Sequence, residues 1–205
     1  MDVASPTVYV VDDDDAVRDS LGLLLRSAGL STQDYPSAET FLDDFNNDMI
    51  GCLVLDIRMP GMNGLELQAR LAQRKSTLPI VFITAHGDIP MAVEALRMGA
   101  LDFVQKPFDD TEIVGKVNAA MEDGQRHHQE EVRRSVVRER LSTLTARERH
   151  VMDQVVQGKA NKVIASDLSI SQRTVEIHRA RVMDKMKVTS LAQLVRAVLV
   201  AEASI

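Results

Sequence analysis

One cysteine, Cys52, among 205 residues excludes an intramolecular disulfide framework and a thiolate zinc site. It lies in the apolar run Cys52-Leu53-Val54-Leu55, where a buried, reduced thiol is expected. Long apolar runs are missing too: none approaches the roughly 20 residues a membrane helix needs. The N-terminus lacks the basic head and apolar stretch of a secretion signal, so a cytoplasmic protein without membrane contact is expected. Between Glu122 and Leu144 there is no proline and only one glycine, Gly124, which argues against a floppy tether there.

Acid and base are present, but unevenly distributed. Residues 1–124 carry 21 Asp/Glu against 9 Lys/Arg, whereas residues 125–205 carry 9 against 15. The overall charge of -6 therefore hides an acidic half joined to a basic one, and a basic half suits a nucleic-acid partner.

Short apolar runs at Val8-Tyr9-Val10-Val11, Cys52-Leu53-Val54-Leu55, Ile80-Val81-Phe82-Ile83 and Phe103-Val104 alternate with segments of helical period. Runs without polar alternation suit strands buried on both faces, which predicts a doubly wound α/β domain with a parallel sheet. A weaker strand at residues 31–35 brings the count to five. Helices are expected near residues 15–28, 37–46, 64–75, 88–98 and from about 109 onward. Ser37 and Asp88 are candidate N-caps, with Pro90 in the turn after Asp88. Val132, Val136, Val137 and Leu141 form one stripe, so residues 124–143 read as a helical linker between domains at residues 1–123 and 144–205.

In a doubly wound sheet, ligands bind outside the carboxyl ends of the strands, and the charged residues fall there. Asp12, Asp13 and Asp14 follow the first strand, Asp56 ends the third, Thr84 ends the fourth and Lys106 follows the fifth. Three carboxylates meeting in one cleft repel unless a cation lies among them. Hard oxygen donors with little histidine or sulfur nearby favour Mg2+. With Thr84 and Lys106 able to bind a phosphoryl group, the set describes phosphoryl transfer to a carboxylate.

Val10-Val11-Asp12-Asp13-Asp14, Leu55-Asp56-Ile57-Arg58-Met59-Pro60-Gly61-Met62-Asn63-Gly64, Thr84-Ala85 and Lys106-Pro107-Phe108 resemble the signature of bacterial receiver domains, with their flavodoxin-like fold, over residues 5–123. The resemblance implies that Asp56 accepts a phosphoryl group from a sensor histidine kinase. It implies Mg2+ held by Asp13, Asp56 and the Arg58 carbonyl with help from Asp12, and a phosphoryl group bound by Thr84 and Lys106. It further implies a cis Lys106-Pro107 bond, and a switch in which Thr84 is coupled to the aromatic residue at position 103, here Phe103. Arg58 and His86 are expected to tune the lifetime of the phosphoryl group. Val93, Arg97 and Asp102 are the expected contacts of a homodimer formed on phosphorylation.

The basic segment reads as all-helical, with helices at residues 145–157, 161–168, 171–187 and 190–201. The second and third form a helix-turn-helix in which Ser171 caps the third. Val175, Val182 and Met186 make its apolar stripe, while Arg173, Arg179, Arg181 and Lys185 project elsewhere, as on a helix that can enter the major groove. Leu144-Thr145-Ala146-Arg147-Glu148, Asn161-Lys162-Val163-Ile164-Ala165 and Ser171-Gln172-Arg173-Thr174-Val175-Glu176-Ile177-His178 resemble the LuxR/NarL-type DNA-binding domain. That resemblance implies Glu176, Ile177 and Ala180 at base edges, and Lys162, Thr174, His178, Arg181 and Lys185 at phosphates. Glu176 departs from the basic residue often found there, although a carboxylate can accept from a cytosine amino group.

Together these resemblances imply a two-component transcriptional regulator rather than an enzyme. It would dimerise on phosphorylation, bind double-stranded promoter DNA and recruit RNA polymerase, with a layout most similar to activators of nitrogen-fixation genes. The alternative is a phosphorylation-independent DNA binder whose receiver is a docking module. An aspartate-nucleophile phosphatase is the enzymatic rival, and turnover of added phosphomonoesters would reveal it.

Overall fold

The computed structural model describes residues 5–85 and 89–202, so the expected roles of His86 and Asp88 lie outside the described residues. The chain divides into two compact units, one up to His128 and one from Gln129 onward.

The first unit alternates strand and helix: β1 (Thr7–Val11), α1 (Asp15–Ser27), β2 (Ser31–Tyr35), α2 (Ala38–Asp44), β3 (Gly51–Asp56), α3 (Gly64–Gln73), β4 (Ile80–Thr84), α4 (Ile89–Arg97), β5 (Asp102–Gln105) and the first part of α5 (Asp110–Ser142). The strands form one sheet in the order β2-β1-β3-β4-β5, and every pairing is parallel. Alternate side chains of a strand point to opposite faces, which splits the core in two. Tyr9, Val11, Leu53, Leu55 and Phe82 pack with Phe41, Leu67, Leu71 and Ala95 of α2, α3 and α4. Val8, Val10, Cys52, Val54 and Ile83 pack on the other face with Leu21, Leu25, Ile113 and Val117 of α1 and α5. Cys52 is fully buried, and burial pushes its thiol up to about 12, so it is an inert core residue.

Two glycines bring α5 against the sheet. A Cβ on Gly124 would lie 1.9 Å from the Gly51 carbonyl oxygen. Gly124, placed by sequence at the start of the linker, therefore packs inside the first unit. Backbone cannot yield as a side-chain tip can, so Gly124→Ala is expected to destabilise the protein by about 2–3 kcal/mol. A chemical denaturation series on the intact chain checks this, and an unchanged midpoint would refute the contact.

The second unit holds the end of α5 with α6 (Ala146–Val156), α7 (Asn161–Asp167), α8 (Gln172–Met186) and α9 (Leu191–Glu202). Its core joins Leu141, Met152, Val155, Ile164, Val175, Val182, Met186 and Leu194. Of the linker stripe, Leu141 and Val137 pack into this core, whereas Val132 and Val136 are exposed. Thr145 and Glu148 form a reciprocal capping box on α6, and Ser171 Oγ accepts from Thr174 N to start α8. Left-handed residues stop the helices: Gly158 after α6, Ser169 between α7 and α8, and Lys187 after α8. No helix among the described residues is long and apolar enough to cross a membrane.

Candidate functional site

The carboxyl ends of β1, β3 and β4 and the start of the β5–α5 turn converge on one buried polar cluster. Asp12 is 1% exposed, Asp56 6% and Thr84 0%. Lys106 Nζ lies between the carboxylates, 2.7 Å from Asp12 Oδ2 and 2.7 Å from Asp56 Oδ1. The remaining oxygens are also used: Asp14 N donates to Asp12 Oδ1 at 2.9 Å, and Arg58 N donates to Asp56 Oδ2 at 2.6 Å. Arg18 Nη1 donates to the Asp12 carbonyl at 2.7 Å and ties α1 to the end of β1.

Burial pushes the Asp56 carboxyl above its ordinary value, against the opposing pull of Lys106. Burial acts on Lys106 in the opposite sense, but its two carboxylate partners outweigh it and hold the ammonium above its usual range. The cluster is thus a pair of buried carboxyl groups at strand ends that share one cation, Lys106.

Of the acidic residues at the strand ends, Asp12 and Asp56 are the two that meet at Lys106. Asp14 caps α1, accepting from Ala16 N at 2.8 Å, and it is exposed, so it does not enter the cleft. Asp13 is also exposed. Among the described residues no three acidic, histidine or cysteine side chains surround one metal-sized position, and the repulsion between Asp12 and Asp56 is offset by Lys106. The donors still suit a hard divalent cation, since two carboxylates converge at the cleft beside Asp13 and all their donor atoms are oxygen.

Thr84 Oγ1 donates to the Ala85 carbonyl at 3.3 Å, a long bond that leaves the hydroxyl weakly held. Its own carbonyl accepts from Lys106 N at 2.7 Å, and the Lys106-Pro107 bond is cis, as the resemblance to receiver domains implies. Phe103 is half-buried and packs partly on the core. Lys116 Nζ lies 5.7 Å from its ring centroid and donates to its carbonyl at 2.8 Å. A cleft of about 580 Å3 opens here between Phe103, Gln105, Lys106, Pro107, Glu112 and Lys116. Of the expected dimer residues, Val93 and Arg97 are exposed on α4, whereas Asp102 accepts from Lys116 Nζ at 2.9 Å. Leu96, Met98 and Leu101 are exposed as well. Sequence reasoning misses them because their spacing also suits a core.

In the second unit, Arg173, Glu176, Ile177, Ala180 and Arg181 are all exposed along one stripe of α8, opposite the buried Val175, Val182 and Met186. Lys162 is exposed on α7, and Ile177 is 46% exposed despite being apolar. Thr174 is half-buried, its hydroxyl 2.8 Å from Ser171 Oγ. His178 is half-buried, and its Nδ1 has no hydrogen-bond partner among the described residues. Arg179 turns to α7, donating to Asn161 Oδ1 at 2.8 Å.

Lys185 turns inward. Its Nζ donates to Glu148 Oε2 at 2.6 Å and to the Thr143 carbonyl at 3.0 Å, so it braces α8 against α6. The hydrogen bond from Lys185 and that from Thr145 N hold the Glu148 carboxyl at about 2. A carboxyl depressed in the folded state stabilises above its ordinary value of 4.5, and that stabilisation is lost as pH falls toward 2. Glu148→Gln is therefore expected to lower stability at neutral pH by about 1–2 kcal/mol. It is also expected to flatten the acid limb between those two pH values, as read from hydrogen exchange of the α6 and α8 amides. An unchanged acid limb would show that the pair does not stabilise the unit.

Comparison with known proteins gives two family matches. Residues 8–118 match the response regulator receiver domain, and residues 142–198 match the bacterial regulatory proteins of the luxR family. The transcriptional regulatory protein FixJ of Azorhizobium caulinodans is 49% identical over 95% of this chain and 92% of its own length. The response regulator protein TodT of Pseudomonas putida is 44% identical over 92% of this chain and 83% of its own. Among solved structures, the response regulator StyR is 44% identical, with a TM-score of 0.84, over 96% of this chain and 99% of that one.

Proposed function

The chain belongs to the two-component response regulators that join a receiver domain to a LuxR-type DNA-binding domain, and we propose that Asp56 is its phosphoacceptor. The observation that carries this is the Lys106 ammonium 2.7 Å from both Asp12 and Asp56 at the carboxyl edge of the sheet. An oxygen of Asp56 attacks the phosphorus of a phosphohistidine on a sensor kinase. The P–N bond breaks as the P–O bond forms, and the imidazole leaves. Asp12, Asp13, Asp56 and the Arg58 carbonyl would hold Mg2+, which when bound would neutralise charge on the phosphoryl oxygens.

Lys106 then exchanges its bond to Asp56 for one to the phosphoryl group while keeping Asp12. The weakly held Thr84 hydroxyl turns from Ala85 to the same group, and Phe103 moves further into the core. Arg58 bounds the path of attacking water. The face bearing Val93, Arg97 and Asp102 repacks and pairs with a second copy. Paired α8 helices then meet two half-sites of promoter DNA, with Glu176, Ile177 and Ala180 at base edges and Lys162, Thr174, His178 and Arg181 toward phosphates. The output is activation of transcription through RNA polymerase in the cytoplasm, with no catalysis beyond the protein's own phosphorylation and dephosphorylation. Nitrogen-fixation genes are the proposed targets on the 49% identity to FixJ of Azorhizobium caulinodans, and TodT at 44% falls within the 43–49% range of the FixJ relatives.

An acyl-phosphate donor with Mg2+ is expected to shift the sedimenting species from monomer to dimer and to raise DNA affinity. Unchanged sedimentation and unchanged affinity would overturn the coupling.

A further inference from the structure

The loop from Ile57 to Asn63 is anchored at both ends. Ile57 N donates to the Ile83 carbonyl at 3.1 Å, and Asn63 forms a capping box with Glu66 at the start of α3. Its middle is held from another element. Glu39, in the first turn of α2, accepts from Met62 N at 2.8 Å through Oε1. The same oxygen lies against Gly61, where φ is +75° and a Cβ would approach it to 2.7 Å. That contact needs both the long Glu39 side chain and a bare backbone at position 61. Glu39 itself is well placed to hold the loop still, because α2 is fixed by the fully buried Ala38 and Phe41 on either side of it.

We propose that Glu39 is a positioning residue for the phosphoacceptor site: by gripping Met62 it sets the course of residues 58–62, and with it the amide and carbonyl of Arg58 that serve Asp56 and the divalent cation. The inference rests on the reading of Asp56 and Mg2+ given above. The Arg58 amide already donates to Asp56 Oδ2 at 2.6 Å, so any shift of the loop moves a donor on the reacting carboxylate. The Met62 bond is the main reason the Glu39 carboxyl lies below its ordinary value, and it is an acceptor's role that an amide oxygen can also fill.

Three variants of the full-length chain separate reach from charge. Glu39→Gln keeps the length and an acceptor oxygen but loses the charge. Glu39→Asp keeps the charge but is one methylene too short. Glu39→Ala loses both. Mg2+ affinity by isothermal titration calorimetry, and the Mg2+ concentration giving half-maximal phosphorylation by acetyl phosphate, are the readouts.

Glu39→Gln is expected to bind Mg2+ within about twofold of the parent, whereas Glu39→Asp and Glu39→Ala bind about tenfold more weakly. Their phosphorylation rate at saturating Mg2+ should fall much less than their apparent Mg2+ affinity. Faster hydrogen exchange of the Met62 amide in the same two variants would accompany it. If Glu39→Asp matches the parent while Glu39→Gln is weakened, the carboxylate acts through its charge and the proposal fails. If all three match the parent, it also fails. A parent chain that binds no Mg2+, or that is phosphorylated elsewhere than Asp56, would instead overturn the underlying reading.

Discussion

Asp56→Asn is expected to abolish phosphoryl incorporation while leaving the fold intact. An amide oxygen is too weak a nucleophile to open the P–N bond, so no covalent intermediate forms. Stability should move the other way from activity. Asp56 is buried with its carboxyl above the ordinary value, so its ionised form costs stability at neutral pH. A group raised in this way stabilises only below its unfolded value, and the benefit is gone once pH has risen through the folded value. Asparagine removes that cost, and Lys106 retains Asp12 as its counter-ion. The variant should therefore unfold at or above the parent's temperature at pH 7, and a phosphate-affinity gel should show no shifted species. A shifted band in Asp56→Asn would move the acceptor elsewhere.

The second large effect concerns DNA. Lys162 and Arg181 are exposed, whereas Lys185 is committed to Glu148 and the Thr143 carbonyl. Lys162→Ala with Arg181→Ala should weaken DNA binding by about 10- to 100-fold at moderate salt, largely irrespective of sequence. The slope of log affinity against log salt should fall by about 2. Lys185→Ala should leave that slope unchanged and instead lower the stability of the second unit, because it strips a buried carboxylate of its partner. If Lys185→Ala reduces the slope as much as Arg181→Ala does, the inward bridge gives way on DNA and Lys185 is a phosphate ligand after all.

The sheet is legible in the sequence because strands covered on both faces must be continuous apolar runs. β2 is the faint one, Ser31–Tyr35, and its place at the sheet edge explains why: only Tyr35 of its residues is buried. The caps at Ser37 and Ser171 are legible for a local reason, since a cap and the amide it satisfies are three residues apart. The site residues Asp12, Asp56, Thr84 and Lys106 are legible as strand-end positions, but their pairing is not. Asp13 and Asp14 have the same chemistry, and only side-chain direction makes Asp14 a helix cap. Lys185 has a basic residue's spacing on α8, and its partner Glu148 stands 37 residues away. The approach of Gly124 to Gly51 and the grip of Glu39 on Met62 likewise depend on tertiary packing that no local pattern encodes.

Selection of DNA from a random pool by the full-length chain, with and without acetyl phosphate and Mg2+, tests the link between Asp56 and α8 most directly. With the donor, a sequence of two related half-sites should be enriched, and without it, or with Asp56→Asn, enrichment should be weak. Equal enrichment of the same sequence by the parent without donor and by Asp56→Asn would show that the DNA-binding unit acts independently of the phosphoacceptor.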